Sequence, residues 1–268
     1  MLVFVKLGGS VITDKTRAET PDHETIRRLA GELRAALDAS PSLRVIVGHG
    51  SGSFGHVYAQ RYGINRGLAP DADWRGFALT AAAALRLNRI VVDALLDVGV
   101  PALALQPSAS LRADRGALVA WDTWPLEQAL GRALVPVVHG DVAFDTAQGS
   151  AIISTEQLLV HLAGVEQLRP ERIVLVGEAG VYTADPRADP GATLIPHIDS
   201  TNIDAVLAGA GASHGVDVTG GMRGKVELMW RLVTADPRLT VQLIGPAPGL
   251  LSRALLGTAA GEGTVISV

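Results

Sequence analysis

Residues 1–10 read MLVFVKLGGS, and this stretch decides the architecture. Residues 2–7 are short, apolar and rich in β-branched and aromatic side chains, which predicts a buried strand. Lys6 falls near its end, just before Gly8, Gly9 and Ser10. A lysine there is costly unless something anionic meets it. The glycines let backbone N–H groups approach a ligand closely, and a cluster of such donors makes an anion cradle. The same ten residues also suit a strand, a tight turn and a lysine that snorkels to water.

Outward from this strand, strand-like runs alternate with helical patterns. Thr20-Pro21 opens a helix whose Ile26, Leu29, Ala30, Leu33 and Leu37 share one face. Residues 43–47 (LRVIV) predict a strand, residues 74–96 a long Ala/Leu-rich helix, and 102–105, 117–121 and 134–138 three further strands. After Asp145 the alternation restarts. Helices are expected from Ser154, from Thr201 and over 222–233, and strands over 172–176, 240–244 and near Val265. Strands separated by helices imply an α/β fold with a mostly parallel sheet covered on both faces. Residues 143–151 (AFDTAQGSA) are the expected seam between an N-terminal lobe, 1–150, and a C-terminal lobe, 151–268.

The 268 residues are 48% hydrophobic with a formal net charge of -4, enough for a sizeable core. Mild acidity and the lack of a basic run give no footprint for nucleic acid or a membrane surface. With no cysteine, disulfides, thiol catalysis and thiolate metal sites are excluded. Lys6 interrupts the only apolar run at the N-terminus, so no signal peptide is expected. No segment approaches the roughly 20 apolar residues that span a bilayer. A cytoplasmic location is expected.

Residues 47–56 (VGHGSGSFGH) follow the second strand. Gly50, Gly52 and Gly55 spell G-x-G-x-x-G, but the acidic residue a dinucleotide site needs about 20 residues on is misplaced, because Asp71 and Asp73 lie in a polar loop. A second phosphate cradle with His56 one helical turn in explains the segment better, since either ring nitrogen can donate to a phosphate. Residues 217–226 (DVTGGMRGKV) imitate a Walker A motif without its first glycine or its hydroxyl. What remains is a glycine pair opening a helix that carries Lys225 on its first turn, a phosphate site on general grounds. In residues 180–186 (GVYTADP), Tyr182 offers a flat ring to a nucleotide and Asp185-Pro186 makes a turn. In residues 139–145 (HGDVAFD), Gly140 can approach a ligand and Asp141 can orient a lysine or a metal. Lysines occur only at 6, 15 and 225, each beside glycine or turn residues. Sparse, placed cations suit phosphoryl transfer, where charge spreads over equatorial oxygens.

KLGGS, the glycine loop after the second strand, GVYTADP and TGGMRGK together resemble the amino acid kinase superfamily, in that family's order over nearly the whole chain. The resemblance implies a three-layer αβα sandwich with a mostly parallel open central sheet, an acceptor-binding N-terminal lobe, an ATP-binding C-terminal lobe and commonly a homodimer. KLGGSVITDK, GHGSGSFGH and HGDVAFD look most like the members that phosphorylate an isoprenoid alkyl phosphate. On that resemblance Lys6, Lys15, His56 and Lys225 are the catalytic group. Ser51, Gly55, His56 and Gly140 would take the acceptor phosphate. Lys6, Gly8, Gly9, Ser10, Gly52, Tyr182, Asp185, Gly221 and Lys225 would take ATP, with Mg²⁺ bound through the nucleotide phosphates rather than by protein ligands. Where the family reads SGDD this chain has Ser154-Thr155-Glu156-Gln157, so Glu156, with Asp141, stands as the acid that orients lysines. Glu178 and Ala179 replace polar residues on the nucleotide side. The alkyl tail needs an apolar wall, expected on the long helix at Leu79, Ala82, Ala83, Leu85, Leu87 and Ile90. A fosfomycin-type kinase of the same fold, a nucleotide sensor without turnover and an unrelated oxidoreductase are the competing expectations.

Overall fold

A computed structural model of the chain describes residues 1–186, 188–210 and 221–268. The first half runs β1 (Leu2–Leu7), α1 (Gly9–Ile12), α2 (His23–Ala39), β2 (Arg44–His49), α3 (Gly52–Tyr62), α4 (Arg75–Asp97), β3 (Ala102–Ala104), β4 (Leu111–Asp114), β5 (Ala117–Trp121), α5 (Trp124–Leu130) and β6 (Val135–His139). The second runs β7 (Asp141–Asp145), β8 (Gly149–Ile153), α6 (Thr155–Ala163), β9 (Arg172–Val176), β10 (Val181–Tyr182), β11 (Leu194–Ile195), β12 (His197–Ile198), α7 (Ile203–Ala210), α8 (Gly221–Ala235), β13 (Thr240–Ile244), α9 (Leu250–Leu256) and β14 (Thr264–Ile266).

Eight strands form the central sheet in the order β12-β14-β13-β9-β1-β2-β6-β3. All pairings are parallel except β13 with β14. β1 lies between β2 and β9, so the chain winds outward from it in both directions and the order reverses there. Side chains alternate between the faces. Val3, Val5 and Leu7 join the core under α2, α4 and α9, whereas Leu2 and Phe4 join the core under α6, α7 and α8. This is the expected three-layer sandwich, with near-continuous apolar strands because both faces are covered. Buried Glu32 of α2 accepts from Leu251 N of α9 at 3.0 Å and so pins the first turn of that helix.

The boundaries depart from expectation in instructive places. α2 starts at His23 because Asp22 caps it, its carboxylate accepting from Thr25 N, while Pro21 bridges back to Thr13. β4, β7 and β8 were not foreseen. They form a second, four-stranded sheet ordered β5-β4-β7-β8, and residues 143–151, expected as a seam, are a hairpin within it. α9 was missed as well. Among the described residues no helix is long and apolar enough to cross a membrane. Gly31 sits inside α2, and among the described residues nothing lies within 4 Å of where a Cβ would stand. Gly31→Ala is expected to stabilise the chain by about 0.5–1 kcal/mol, raising Tm by about 1–4 °C in a thermal melt. A lower Tm would show that this face of α2 is covered.

Candidate active site

The carboxyl ends of five neighbouring strands, β13, β9, β1, β2 and β6, lie side by side, and each is followed at once by a glycine: Gly245, Gly177, Gly8, Gly50 and Gly140. In open α/β sheets ligands bind outside the carboxyl ends where the strand order reverses, and here that point is β1.

Lys6, one residue from the end of β1, faces the α6 side of the sheet and forms an ion pair with Glu156. Both side chains are largely buried. Glu156 is the second residue of α6, whose start is set by a capping box between Ser154 and Gln157. Burial alone would raise the Glu156 carboxyl, but Lys6 and, more weakly, Lys225 outweigh it and hold the group below the usual carboxylate range. Two of the three lysines therefore converge electrostatically on one carboxylate. Lys225 stands at the start of the second turn of α8, not the first, and Gly221 opens that helix. Asp217, Thr219 and Gly220 of the same motif lie outside the described residues.

The first two glycine loops press against each other. A Cβ on Gly9 would stand 2.5 Å from Gly52 N, and one on Gly50 would stand 2.9 Å from Gly9 N. Thr13 clamps the pair, its Oγ1 donating to Gly9 O at 2.7 Å and accepting from Ser53 N at 3.0 Å. The backbone N–H groups of Gly9, Ser10, Ser51 and Gly52 have no acceptor among the described residues. Gly55 packs against Ser51 in the first turn of α3. His56 is exposed one turn in, and its Nδ1–H donates to Gly52 O at 2.8 Å, which leaves Nε2 for an outside partner. Lys15 is exposed in the loop after α1 and takes no partner among the described residues, while the neighbouring Asp14 is engaged by Thr16 and Arg17.

Asp141 does not orient a lysine. Its carboxylate accepts from Ser108 N at 3.1 Å and from Val142 N at 2.8 Å, so both oxygens hold backbone. Tyr182 and Asp185 are half-buried around β10, on the β9 side of the crevice, away from the two stacked glycine loops. The six residues expected to wall the alkyl tail do not share a face. Ala83, Leu87 and Ile90 belong to the central core, and Ala82 and Leu85 are exposed. A separate apolar cluster lies instead between the start of α4 and the β7–β8 hairpin, with Ile64, Leu68 and Val142 at its centre and Tyr62, Trp74, Phe77 and Ile152 around it.

Sequence reasoning missed the buried pair His49 and His139, together with Asn88 and Thr155. The signal was present as a repeated His-Gly dipeptide ending two strands.

These features can bind polyphosphates: unpaired N–H groups from two loops, lysines gathered on a buried carboxylate and an exposed histidine one turn away. A curated isopentenyl phosphate kinase from Methanothermobacter thermautotrophicus is 40% identical over 96% of this chain and 96% of its own length. One from Haloferax volcanii is 38% identical over 94% and 98%. A solved structure of isopentenyl phosphate kinase superposes with a TM-score of 0.84 at 36% identity, covering 100% of both chains. The sequence profile of the amino acid kinase family matches residues 1–241, and the chain belongs to that family.

Proposed function

We infer that this chain transfers the terminal phosphoryl group of ATP to isopentenyl phosphate, giving isopentenyl diphosphate and ADP. The observation that carries this reading is the juxtaposition of two glycine cradles with an exposed histidine on the acceptor side, in a chain this similar to isopentenyl phosphate kinases along its whole length. An acceptor phosphate oxygen attacks the γ-phosphorus, the bond from that phosphorus to the β,γ-bridging oxygen breaks, and ADP leaves. The attacking oxygen is already ionised at neutral pH, so no strong general base is needed and placement of cations supplies most of the catalysis.

Lys6, with Gly8, Gly9 and Ser10, holds the phosphoryl group in transit. Lys225 and Gly221 hold the ATP phosphates, with Gly52 on the same side and Tyr182 and Asp185 lining the nucleotide. Lys15 bridges donor and acceptor phosphates. Mg²⁺, carried on the nucleotide phosphates, would offset their charge. Glu156 keeps Lys6 and Lys225 extended toward the crevice. The acceptor belongs to residues 1–150 and ATP to residues 151–268. The alkyl tail fits the cluster of Ile64, Val142, Phe77 and Ile152, because Val142 follows Gly140 by two residues and Ile152 is its hairpin partner.

His56 binds the acceptor phosphate through Nε2. Since Nδ1–H is committed to Gly52 O, Nε2 is the ring nitrogen left to face the acceptor phosphate, and a charge-assisted hydrogen bond there uses the Nε2–H of the imidazolium form. His56→Ala is expected to raise the acceptor KM by about 30–100-fold, the loss of one charge-assisted hydrogen bond, with the ATP KM nearly unchanged. The test is ADP release with MgATP over isopentenyl phosphate, dimethylallyl phosphate, fosfomycin and an amino-acid panel. Turnover on fosfomycin alone would move the acceptor to a phosphonate. ATP binding without turnover on any acceptor would leave a nucleotide sensor.

A further inference from the structure

His49-Gly50 and His139-Gly140 end the adjacent strands β2 and β6 and stand opposite each other in register. Both rings are fully buried on the α4 side of the sheet, with centroids 5.6 Å apart. Each Nδ1 meets the carbonyl of the glycine that follows it, at 3.1 Å for His49 with Gly50 O and 3.2 Å for His139 with Gly140 O. A carbonyl only accepts, so Nδ1 carries the proton in both rings. His49 Nε2 is then an acceptor and meets Asn88 Nδ2 at 3.0 Å, whereas His139 Nε2 is buried without a partner among the described residues. Burial, and secondly the neighbouring His139, push His49 down to about 3, so its ring is neutral in ordinary buffers.

The tether has a geometric consequence. Gly50 C=O is drawn inward to His49, and in a planar trans peptide the N–H of the next residue points the opposite way. That N–H belongs to Ser51 and is one of the four without an acceptor among the described residues. The backbone carbonyl of His49 in turn accepts from Gly140 N at 3.1 Å and from Thr155 Oγ1 at 2.7 Å. One residue thus ties the acceptor loop, the end of β6 and the first turn of α6, where Glu156 meets Lys6. Two buried imidazoles, one with an unpaired nitrogen, cost more than two apolar side chains of similar size. Their polar edges are what distinguish them at these positions, and those edges hold the glycine carbonyls.

We propose that His49 is a positioning residue of this site: its Nδ1–H locks the Gly50–Ser51 peptide so that Ser51 N–H is presented to the acceptor phosphate, while His139 braces the ring and holds Gly140 in the same way. This rests on placing the acceptor phosphate at the Gly50–Gly52 loop, as above.

The experiment compares His49→Leu, which removes the donor, with His49→Asn, whose amide nitrogen stands near the place of Nδ1. Asn88→Leu, which frees the ring to change tautomer, is the milder third variant. His49→Leu should raise the acceptor KM by about 10–30-fold and leave the ATP KM within about twofold, the range expected for one misdirected donor in a dry site. His49→Asn should restore most of this, and Asn88→Leu should show a smaller rise. In ¹H–¹⁵N spectra, inorganic phosphate should move the Ser51 amide downfield in the wild type and in His49→Asn but not in His49→Leu. Equal rises in both KM values, or no advantage of Asn over Leu, would overturn the proposal. Should His49→Leu fail to fold, the other two variants and the wild-type spectrum still decide. Wild-type turnover on isopentenyl phosphate with an unmoved Ser51 amide sinks the positioning role alone. A phosphate-shifted Ser51 amide in a chain silent on every alkyl phosphate sinks the assigned reaction and leaves the cradle standing.

Discussion

Lys6→Met lowers kcat by roughly 10³-fold with the acceptor and ATP KM values changed far less, because a single well-placed charge in a water-poor phosphoryl-transfer site is worth that much in the transition state. Methionine keeps the length and most of the packing of the lysine stem, so the loss reports charge. Lys6 also holds Glu156, and that gives the variant a second signature. The folded carboxyl lies below the usual range because Lys6 and Lys225 outweigh burial. A carboxylate depressed on folding contributes stability above its unfolded pKa, and the contribution is lost as pH falls through the folded value. Without Lys6 the balance tips toward burial and the folded pKa rises. At neutral pH the variant should then be weaker by about 2–3 kcal/mol, at or below the low end for breaking a buried pair because Lys225 remains. On acidification the gap to the wild type should narrow, as protonation relieves the stranded carboxylate. Urea unfolding at neutral and mildly acid pH, beside single-turnover rates, checks both halves. A kcat within tenfold of the wild type would remove Lys6 from the chemistry. A gap that widened in acid would mean Glu156 was never held by it.

Much of this site was legible because its chemistry sits in local patterns. An apolar strand ending in lysine and glycines, a second glycine loop after a second strand, and three lysines in 268 residues can each be read without tertiary information. The central strands 172–176 and 240–244 were placed to the residue because strands buried on both faces are apolar throughout and need no partner to be recognised. The second sheet was harder to see. β4 has four residues with only Leu111 and Ala113 pointing inward, and its neighbour β7 with the strand beyond it, β8, was read as a seam between lobes because Thr146, Gln148 and Gly149 at the hairpin tip are turn formers. The alkyl wall failed for another reason. Small residues run all the way round α4, so composition could not say which face meets the core. His49 was overlooked because its role belongs to a peptide plane and to Asn88, 39 positions away. No spacing rule connects those.

Gly9→Ala and Gly52→Ala should abolish turnover and weaken the fold together, since the two cradles approach backbone to backbone. On Gly9 the new methyl would lie 2.5 Å from Gly52 N and 2.7 Å from Gly52 Cα, with no flexible side chain to yield. On Gly52 it would lie 2.2 Å from Thr13 Oγ1 and 2.7 Å from Gly9 O, at a residue already in the left-handed region with φ +50°. Either methyl must drive α1 away from α3, against the Thr13 clamp. Overpacking of this kind costs about 1–3 kcal/mol, and the left-handed backbone adds about 1 kcal/mol at Gly52, so Gly52→Ala should be the less stable of the two. A displacement near 1 Å between groups that hold the two reacting phosphates lowers kcat/KM by about 10²-fold or more. Gly221→Ala separates the causes. Its φ of +60° carries the same backbone penalty, but among the described residues nothing lies within 4 Å of the added carbon. It should therefore lose about 1 kcal/mol of stability and keep most of its turnover at saturating ATP. Unfolding curves with steady-state rates for the three variants decide the matter. If Gly9→Ala turned over like Gly221→Ala, the close approach of the loops would be a packing feature without a part in catalysis. If it failed while remaining folded, the distance between the cradles is itself what the enzyme sets, because that distance places the attacking oxygen against the phosphorus.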